Sequence, residues 1–171
     1  PFRHEVNKAI KVIEDFIADK GRIIYGGLAI NEFIKLKNKD DAIYEENTVN
    51  IPDYDIYTPD PMNDLIYITN KLYHLGFTDV VGFEAVHLDT YSIRLDSINQ
   101  ILDLHYVWSP HYKLIPTKKI GRFYYVSPEF MYIDLYKVYT DPLLAYDFRL
   151  EKTIKRCSLI EHYYPITRPD T

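Results

Sequence analysis

Two consecutive glycines, Gly26 and Gly27, join a short β-prone run to a helical pattern. The run from Ile23 to Tyr25 predicts a strand, and apolar residues resume at helical spacing from Leu28 onward. Glycine lets the backbone approach a ligand closely, and the first turn of a helix offers unbonded N–H groups and the positive end of its dipole. We therefore expect the junction at Gly26 and Gly27 to bind a phosphate group.

A second β-prone run, from Ile51 to Tyr57, carries two aspartates in alternation. Asp53 and Asp55 therefore lie on one face of the strand, about 6 to 7 Å apart. They repel each other unless solvent or a cation lies between them. Magnesium is the natural occupant, because it prefers oxygen ligands and is commonly held by one or two carboxylates together with substrate phosphates. The alternative is a pair of ordinary solvent-exposed carboxylates.

A third aspartate, Asp103, lies inside an otherwise apolar strand. A charge in the middle of a sheet needs a partner or a cation. If its strand pairs with that of Asp53 and Asp55, the three carboxylates form a site able to hold two metal ions about 3.5 to 4 Å apart. The alternative is a salt bridge from Asp103 to Arg94 or Lys113.

The remaining pattern predicts an α+β domain with a mixed, mostly antiparallel sheet flanked by helices. Three β-prone runs in close succession favour antiparallel pairing. On the last helix, Leu150, Ile154 and Cys157 form the predicted apolar stripe. Helices are expected at residues 4–19, 28–34, 62–75, 128–139 and 143–162, further strands at 77–86, 89–95, 98–107 and 123–126, and irregular structure at 108–121.

Charge and composition exclude several classes of protein. The 171 residues fit one domain, and the single Cys157 excludes an internal disulfide framework and a cysteine-rich zinc site. The net charge of −5 argues against a general nucleic-acid binder. Eight acidic residues and no Lys or Arg lie at 40–64, which is typical of a solvated loop. No apolar run approaches the roughly 18 residues of a membrane span, so we expect a soluble chain that contacts no membrane.

The order of these motifs resembles the polymerase-beta-type nucleotidyltransferase superfamily. More narrowly, six segments are similar to the poly(A) polymerase catalytic subunit of large cytoplasmic DNA viruses, over about residues 20 to 165. These segments are Ile24-Tyr25-Gly26-Gly27-Leu28-Ala29-Ile30-Asn31, Pro52-Asp53-Tyr54-Asp55-Ile56-Tyr57, Glu84-Ala85-Val86-His87, Ile133-Asp134-Leu135-Tyr136, Thr140-Asp141-Pro142 and Arg149-Leu150-Glu151-Lys152.

The resemblance implies a nucleotidyltransferase fold and template-independent transfer of AMP from ATP to an RNA 3′ end, such as that of an mRNA. It implies Mg²⁺ or Mn²⁺ as cofactor, in a two-metal mechanism. Asp53, Asp55 and Asp103 match the catalytic metal triad, and Gly26 and Gly27 match the phosphate-binding turn. It further implies a cytoplasmic or virion location, and a homodimer or a viral processing subunit as partner.

Two features depart from the family pattern. Many members of the superfamily have serine after the first glycine, whereas Gly27 offers only its backbone, so part of the phosphate contact must come from elsewhere. Enzymes of the viral group are also longer, with a second domain. We therefore expect residues 1–171 to be the nucleotidyltransferase catalytic domain of a longer two-domain enzyme.

The basic residues of the last helix are candidates for binding the nucleotide. Arg149, Lys152 and Arg156 share one helix face, where they could meet triphosphate or RNA, although a solvated basic face is an equal alternative. His105 shares a strand face with Asp103 and could support the site or be a hydrogen-bonded core histidine. For Glu84, His87 and Asp134 we expect structural roles before chemical ones.

Two other functions stay open at this point. One is a different nucleotidyltransferase that modifies a tRNA or a protein, because the triad fixes the phosphoryl chemistry and says little about the acceptor. The other is a catalytically silent domain that keeps the fold for binding or dimerisation. Retention of Asp53, Asp55 and Asp103 argues against the silent domain, because an inactive site gains nothing from three carboxylates that repel one another.

Overall fold

Seven strands and six helical segments make up the part of the chain that the computed structural model describes, which is residues 2–44, 53–95, 98–133 and 147–166. The helices are α1 (Phe2–Lys20), α2 (Gly26–Lys37), α3 (Pro61–His74), α4 (Ser109–Tyr112), a helical segment at 128–133 (α5) and α6 (Asp147–Tyr163), with a 3₁₀ turn at Lys39–Asp41. The strands are β1 (Ile23–Tyr25), β2 (Tyr54–Thr58), β3 (Val80–Glu84), β4 (Thr90–Leu95), β5 (Ile98–Tyr106), β6 (Thr117–Ile120) and β7 (Phe123–Val126).

The strands form one sheet in the order β3-β4-β5-β2-β1-β7-β6. The pairs β1–β2, β3–β4, β4–β5 and β6–β7 are antiparallel, whereas β1–β7 and β2–β5 are parallel. The predicted α+β class and the mixed, mostly antiparallel sheet are thus confirmed. The consecutive hairpin strands were correctly predicted to be antiparallel, and the parallel contact of β2 with β5 brings two distant parts of the sequence side by side.

Helices α1 and α3 cover one face of the sheet. Tyr54 on β2 donates a hydrogen bond of 2.7 Å to Glu14 of α1. Thr58, four residues further along the same strand, donates at 2.5 Å to Asp64 of α3, which also accepts two hydrogen bonds of 2.9 Å from Arg22. Because side chains alternate along a strand, the odd-numbered residues of β2 lie on the opposite face.

One part of the core lies between that covered face and helices α1 and α3, and another part includes buried residues of α2 and α6, such as Phe33 and Ile160. Apolar side chains at helical spacing in α1 and α3 meet the alternate apolar residues of the central strands, and each large side chain buried in this way contributes about 1.5 to 3 kcal/mol. Its fully buried members include Ile13, Ile17, Ile56, Ile68, Leu72, Leu102 and Leu104.

Residues 108–121, predicted to be irregular, instead contain α4 and β6. Strand β6 pairs with β7 in a hairpin that turns at Gly121 and Arg122. The prediction was wrong because β6 is an edge strand whose Thr117, Lys118 and Lys119 are all exposed. An edge strand of this kind has no buried face, so its sequence shows no alternation of apolar and polar residues.

The predicted apolar stripe of the last helix is also partly wrong. Ile154 is about half exposed (48%), and the buried residues of α6 are Thr153, Cys157 and Ile160. The side chains of Leu150 and Arg149 lie outside the described residues. The same holds for the predicted helix beyond residue 133, which includes Asp134. None of the described helices is both long enough and apolar enough to cross a membrane.

Candidate active site

The parallel pairing of β2 with β5 brings together the three aspartates singled out in the sequence. Asp55 is the direct register partner of Asp103, and Asp53 precedes Asp55 on the same strand face. Each carboxylate offers an oxygen within 4.8 Å of those of the other two. These residues form the carboxylate cluster, which lies on the face of the sheet opposite α1 and α3.

Asp53 and Asp55 of the carboxylate cluster have raised pKa values. Desolvation, followed by the charge of Asp103, raises the pKa of Asp53 to about 7, against the weaker opposing effect of Lys152. Burial and the charges of Asp53 and Asp103, with a hydrogen bond to Asp103, raise the pKa of Asp55 well above its ordinary value. Arg156 opposes this rise. Two carboxylates that resist ionisation beside a third are a place where a cation replaces protons.

Neutral donors orient Asp103. Ser92, its register partner on β4, donates to Oδ1 at 2.5 Å, and the Gln100 side-chain amide donates to the same oxygen. The alternative salt bridge does not occur among the described residues, since Asp103 forms no ion pair with Arg94 or Lys113. Arg94 instead lies over the ring of Phe83 on β3, at 5.7 Å. Sequence reasoning missed Ser92, which only the strand register places there, and Gln100, which simple alternation along β5 would put on the other face but which lies where the β4–β5 register shifts.

The glycine junction lies directly beside the carboxylate cluster. Tyr25 is the antiparallel partner of Asp55, so helix α2 begins next to that carboxylate. Gly26 has a φ angle of +70°, and a Cβ there would lie 2.7 Å from Asp55 Oδ2. Tyr25 supplies no capping side chain, and the first turn of α2 contains no acidic residue. The N–H groups of this first turn, which have no partner within the helix, suit an anion.

Two of the predicted basic residues lie at the same place. The charge of Lys152 acts on Asp53, and that of Arg156 acts on Asp55. Arg156 also donates a hydrogen bond of 3.1 Å from Nη2 to the hydroxyl oxygen of Tyr44. The structure therefore brings Gly26, Gly27, Lys152 and Arg156 to one end of the carboxylate cluster.

An aromatic group continues the same sheet face. Tyr25 stacks on Tyr57 with ring centroids 4.0 Å apart, and His105 meets Tyr57 edge-on at 5.8 Å. Thr90 Oγ1 lies 2.9 Å from His105 Nδ1, which agrees with a hydrogen-bonded histidine of the sheet rather than a member of the cluster. Beyond these rings, a cavity of about 320 Å³ is lined by Tyr57, His105, Phe130 and their neighbours.

Glu84 and His87 do not join the carboxylate cluster. Both are exposed, Glu84 at the end of edge strand β3 and His87 in the following turn. Two strands, β4 and β5, separate β3 from β2. Structural roles for these two residues stay a prediction.

The donor set fits a hard divalent cation. All three side chains offer oxygen, the ligand that Mg²⁺ and Mn²⁺ prefer, and the raised pKa values of Asp53 and Asp55 show how unfavourable their charges are without a counter-ion. A phosphate-bearing ligand on such an ion would reach the start of α2. Chemically, the site can hold a metal–polyphosphate complex beside a carboxylate.

Comparison with known proteins agrees with this geometry. The family model described as poly(A) polymerase catalytic subunit matches residues 11–145. A protein of Acanthamoeba polyphaga mimivirus, described as a poly(A) polymerase catalytic subunit, is 36% identical over 97% of this chain and 28% of its own length. An African swine fever virus protein of the same description is 31% identical over 95% of this chain and 34% of its own.

A solved structure shows the same architecture. The crystal structure of the Megavirus polyadenylate synthase superposes with a TM-score of 0.88 and 39% identity, over 98% of this chain and 33% of that one. The chain thus spans about a third of the length of the relatives it matches.

Proposed function

The chain belongs to the poly(A) polymerase catalytic subunit family, and from that premise we propose that it transfers AMP from ATP to the 3′ hydroxyl of an RNA without a template. The observation that carries the proposal is the carboxylate cluster of Asp53, Asp55 and Asp103 beside the free start of α2. Carboxylates and an anion-binding helix start are the two parts that nucleotide transfer requires.

Asp53, Asp55 and Asp103 are the residues that would hold two divalent ions, Mg²⁺ or Mn²⁺. Ions bound there would lower the pKa of the attacking hydroxyl and neutralise charge on the triphosphate. Gly26 and Gly27 contribute backbone N–H groups to the triphosphate, and Lys152 and Arg156 contribute positive charge to it.

The reaction balances as an in-line displacement. A bond forms between the RNA 3′ oxygen and the α-phosphorus of ATP, while the bond from that phosphorus to the bridging oxygen breaks. Pyrophosphate leaves with the electron pair, and the hydroxyl proton passes to the Asp103 carboxylate or to water. Ser92 and Gln100 keep Asp103 oriented for this role, because both donate to its Oδ1.

We propose a domain, an acceptor and a location on the same basis. Residues 1–171 act as the nucleotidyltransferase catalytic domain, with an mRNA 3′ end as acceptor in the host cytoplasm or the virion. A homodimer or a viral processing subunit stays a prediction. A silent binding domain is disfavoured, because the cluster keeps carboxylates whose burial and mutual repulsion raise the pKa of both Asp53 and Asp55.

Incorporation of labelled AMP tests the function. Purified protein is mixed at low salt with α-labelled ATP, an excess of an unstructured oligoadenylate and Mg²⁺ or Mn²⁺, with tRNA and casein as competing acceptors. We expect label to extend the oligoadenylate, and Asp103→Asn to reduce the rate by orders of magnitude with little change in thermal unfolding. Asparagine preserves the shape of the side chain and removes the charge.

Asp79→Asn is the matched control, because Asp79 is an exposed aspartate outside the cluster. It should extend RNA at the unsubstituted rate. Label on tRNA or protein alone would favour the alternative hypothesis, a nucleotidyltransferase that modifies a tRNA or a protein. Near-normal extension by Asp103→Asn would show that Asp103 is structural.

A further inference from the structure

Gly27 has no room for a side chain, because another residue fills the space. A Cβ at this position would overlap the hydroxyl oxygen of Tyr44 and would lie 2.9 Å from Nη2 of Arg156. Tyr44 and Arg156 are joined by a hydrogen bond of 3.1 Å. A tyrosine hydroxyl and a guanidinium therefore lie together over the first turn of α2, beside Asp55.

The position of Tyr44 is fixed by the fold. The buried side chain of Asn31 on α2 accepts hydrogen bonds from the backbone N–H groups of Ile43 at 2.8 Å and Tyr44 at 3.2 Å. These two hydrogen bonds hold the segment that follows α2 against α2 itself. Tyr44 as a whole remains about one-third exposed (37%), so a ligand can reach this residue.

Both groups have hydrogen-bonding capacity left over. Arginine has no acceptor, so the Tyr44 oxygen must accept from Arg156, which leaves the hydroxyl proton available to donate. Within the described ranges that proton has no acceptor, and Arg156 Nε is buried there without a partner. These two unused donors, the Tyr44 hydroxyl and Arg156 Nε, lie beside a helix start and a carboxylate cluster. This arrangement favours binding of an anionic ligand.

We infer that the Tyr44 hydroxyl and the Arg156 guanidinium bind a phosphate group of the nucleotide over the start of α2, and that Gly27 lacks a side chain to admit this pair. The inference rests on the proposed function and adds a residue, Tyr44, that the motifs did not reveal. It also accounts for the missing hydroxyl at Gly27, because the tyrosine supplies one from outside the helix.

Binding of inorganic tripolyphosphate with Mn²⁺, measured by calorimetry, tests the inference. Tyr44→Phe should weaken binding about tenfold or more, the effect of losing one hydrogen bond to a charged group. Gly27→Ser should weaken it at least as much, since its Cβ displaces Tyr44. Tyr73→Phe is the matched control, because Tyr73 is an exposed tyrosine on α3 and should bind like the unsubstituted chain.

A rescue separates the phosphate contact from a merely structural effect. In the Tyr44→Phe background the overlapping hydroxyl is gone, so serine or alanine fits at Gly27 once the flexible end of Arg156 shifts and the ring, whose Cζ lies 3.3 Å from the Cβ position, gives by a few tenths of an ångström. Only serine returns a hydroxyl. We expect the Gly27→Ser double variant to recover most of the lost affinity, and the Gly27→Ala double variant to recover none, with equal thermal midpoints.

Each contrary result overturns the inference: unchanged affinity in Tyr44→Phe, equal affinity in the two double variants, or no tripolyphosphate binding by the unsubstituted chain. Tripolyphosphate carries neither base nor acceptor. Its affinity therefore reports the phosphate contact separately from AMP transfer, whose absence would instead overturn the proposed function.

Discussion

At Gly26, both the backbone conformation and the packing require glycine. The φ angle is +70°, and the Asp55 carboxylate lies 2.7 Å from the place of a Cβ. Gly26→Ala should lose about 1 to 2 kcal/mol of unfolding free energy to the left-handed backbone. It should also displace Asp55 and weaken Mn²⁺ binding roughly 10- to 100-fold, the range seen when the support of a metal ligand is lost. Calorimetry and thermal unfolding measure the two effects.

Gly21→Ala separates these effects. Gly21 also has a left-handed backbone, with a φ angle of +62°, but a Cβ there meets nothing within 4 Å. This variant should lose similar stability and keep its Mn²⁺ affinity. Equal loss of affinity in both variants would show that the contact with Asp55 is unimportant.

The carboxylate cluster should make the metal-free chain less stable as pH rises. The pKa of Asp53 is about 7 in the folded chain and near 3.9 in an unfolded one, so the native state binds more protons between these values. The free energy of unfolding therefore falls as pH rises through this window. In EDTA, we expect a higher thermal midpoint at pH 6 than at pH 8.

Asp53→Asn provides the comparison for this pH dependence. The difference in thermal midpoint between the variant and the unsubstituted chain should grow from pH 6 to pH 8, because the variant lacks the charge that develops at Asp53. A constant difference across this range would mean that Asp53 titrates normally.

Only part of the site could be predicted at the level of single residues. Alternation alone places Asp53 and Asp55 on one face, and glycine chemistry marks Gly26. Tyr44 was not predictable, because its place over Gly27 depends on the backbone bonds to Asn31. No local pattern encodes such a return of the chain.

At the level of elements, strand register is what completes the site. Asp103 was predicted to join Asp55 only if their strands paired, and the parallel register makes them direct partners. The sequence between β2 and β5 contains a helix and two strands, so no local signal shows which strands become neighbours. The same dependence on register explains why Ser92 escaped prediction.

Helix α6 contains both buried core residues and the basic residues of the site. Ile160 is fully buried, whereas Ile154 on the same helix is about half exposed (48%). Ile160→Ala should therefore cost about 2 to 5 kcal/mol of unfolding free energy, the range for emptying a core position. Because Lys152 and Arg156 depend on this docking, tripolyphosphate affinity should fall too.

Ile154→Ala makes the same chemical change in the same helix at an exposed position. It should cost less than about 1 kcal/mol and leave tripolyphosphate binding intact, because little apolar area is lost. Chemical denaturation of the two variants makes the comparison. Similar losses in both would place Ile154 in the core, as the sequence pattern first suggested.

At the scale of the whole molecule, charge sets how firmly RNA is held. The net charge is −5, and residues 40–64 add eight acidic residues to the region that includes β2. Affinity for single-stranded RNA depends on cations that replace phosphate counter-ions. Lys152 and Arg156 are cations of the described residues whose charges act on Asp53 and Asp55 of the carboxylate cluster. Relatives about three times as long have further surface for this purpose.

We therefore expect the 171-residue chain to bind ATP weakly and RNA scarcely. Fluorescence anisotropy of a labelled oligoadenylate should give a dissociation constant weaker than about 10⁻⁴ M at moderate salt, the weak limit of non-specific binding. At low salt, where binding is measurable, Lys152→Gln and Arg156→Gln should each reduce the slope of log affinity against log salt by about 0.7, the value of one contact to a single strand. Micromolar binding that is insensitive to salt would contradict this expectation and would place an RNA-binding surface on this domain, built from stacking and hydrogen bonds rather than from charge.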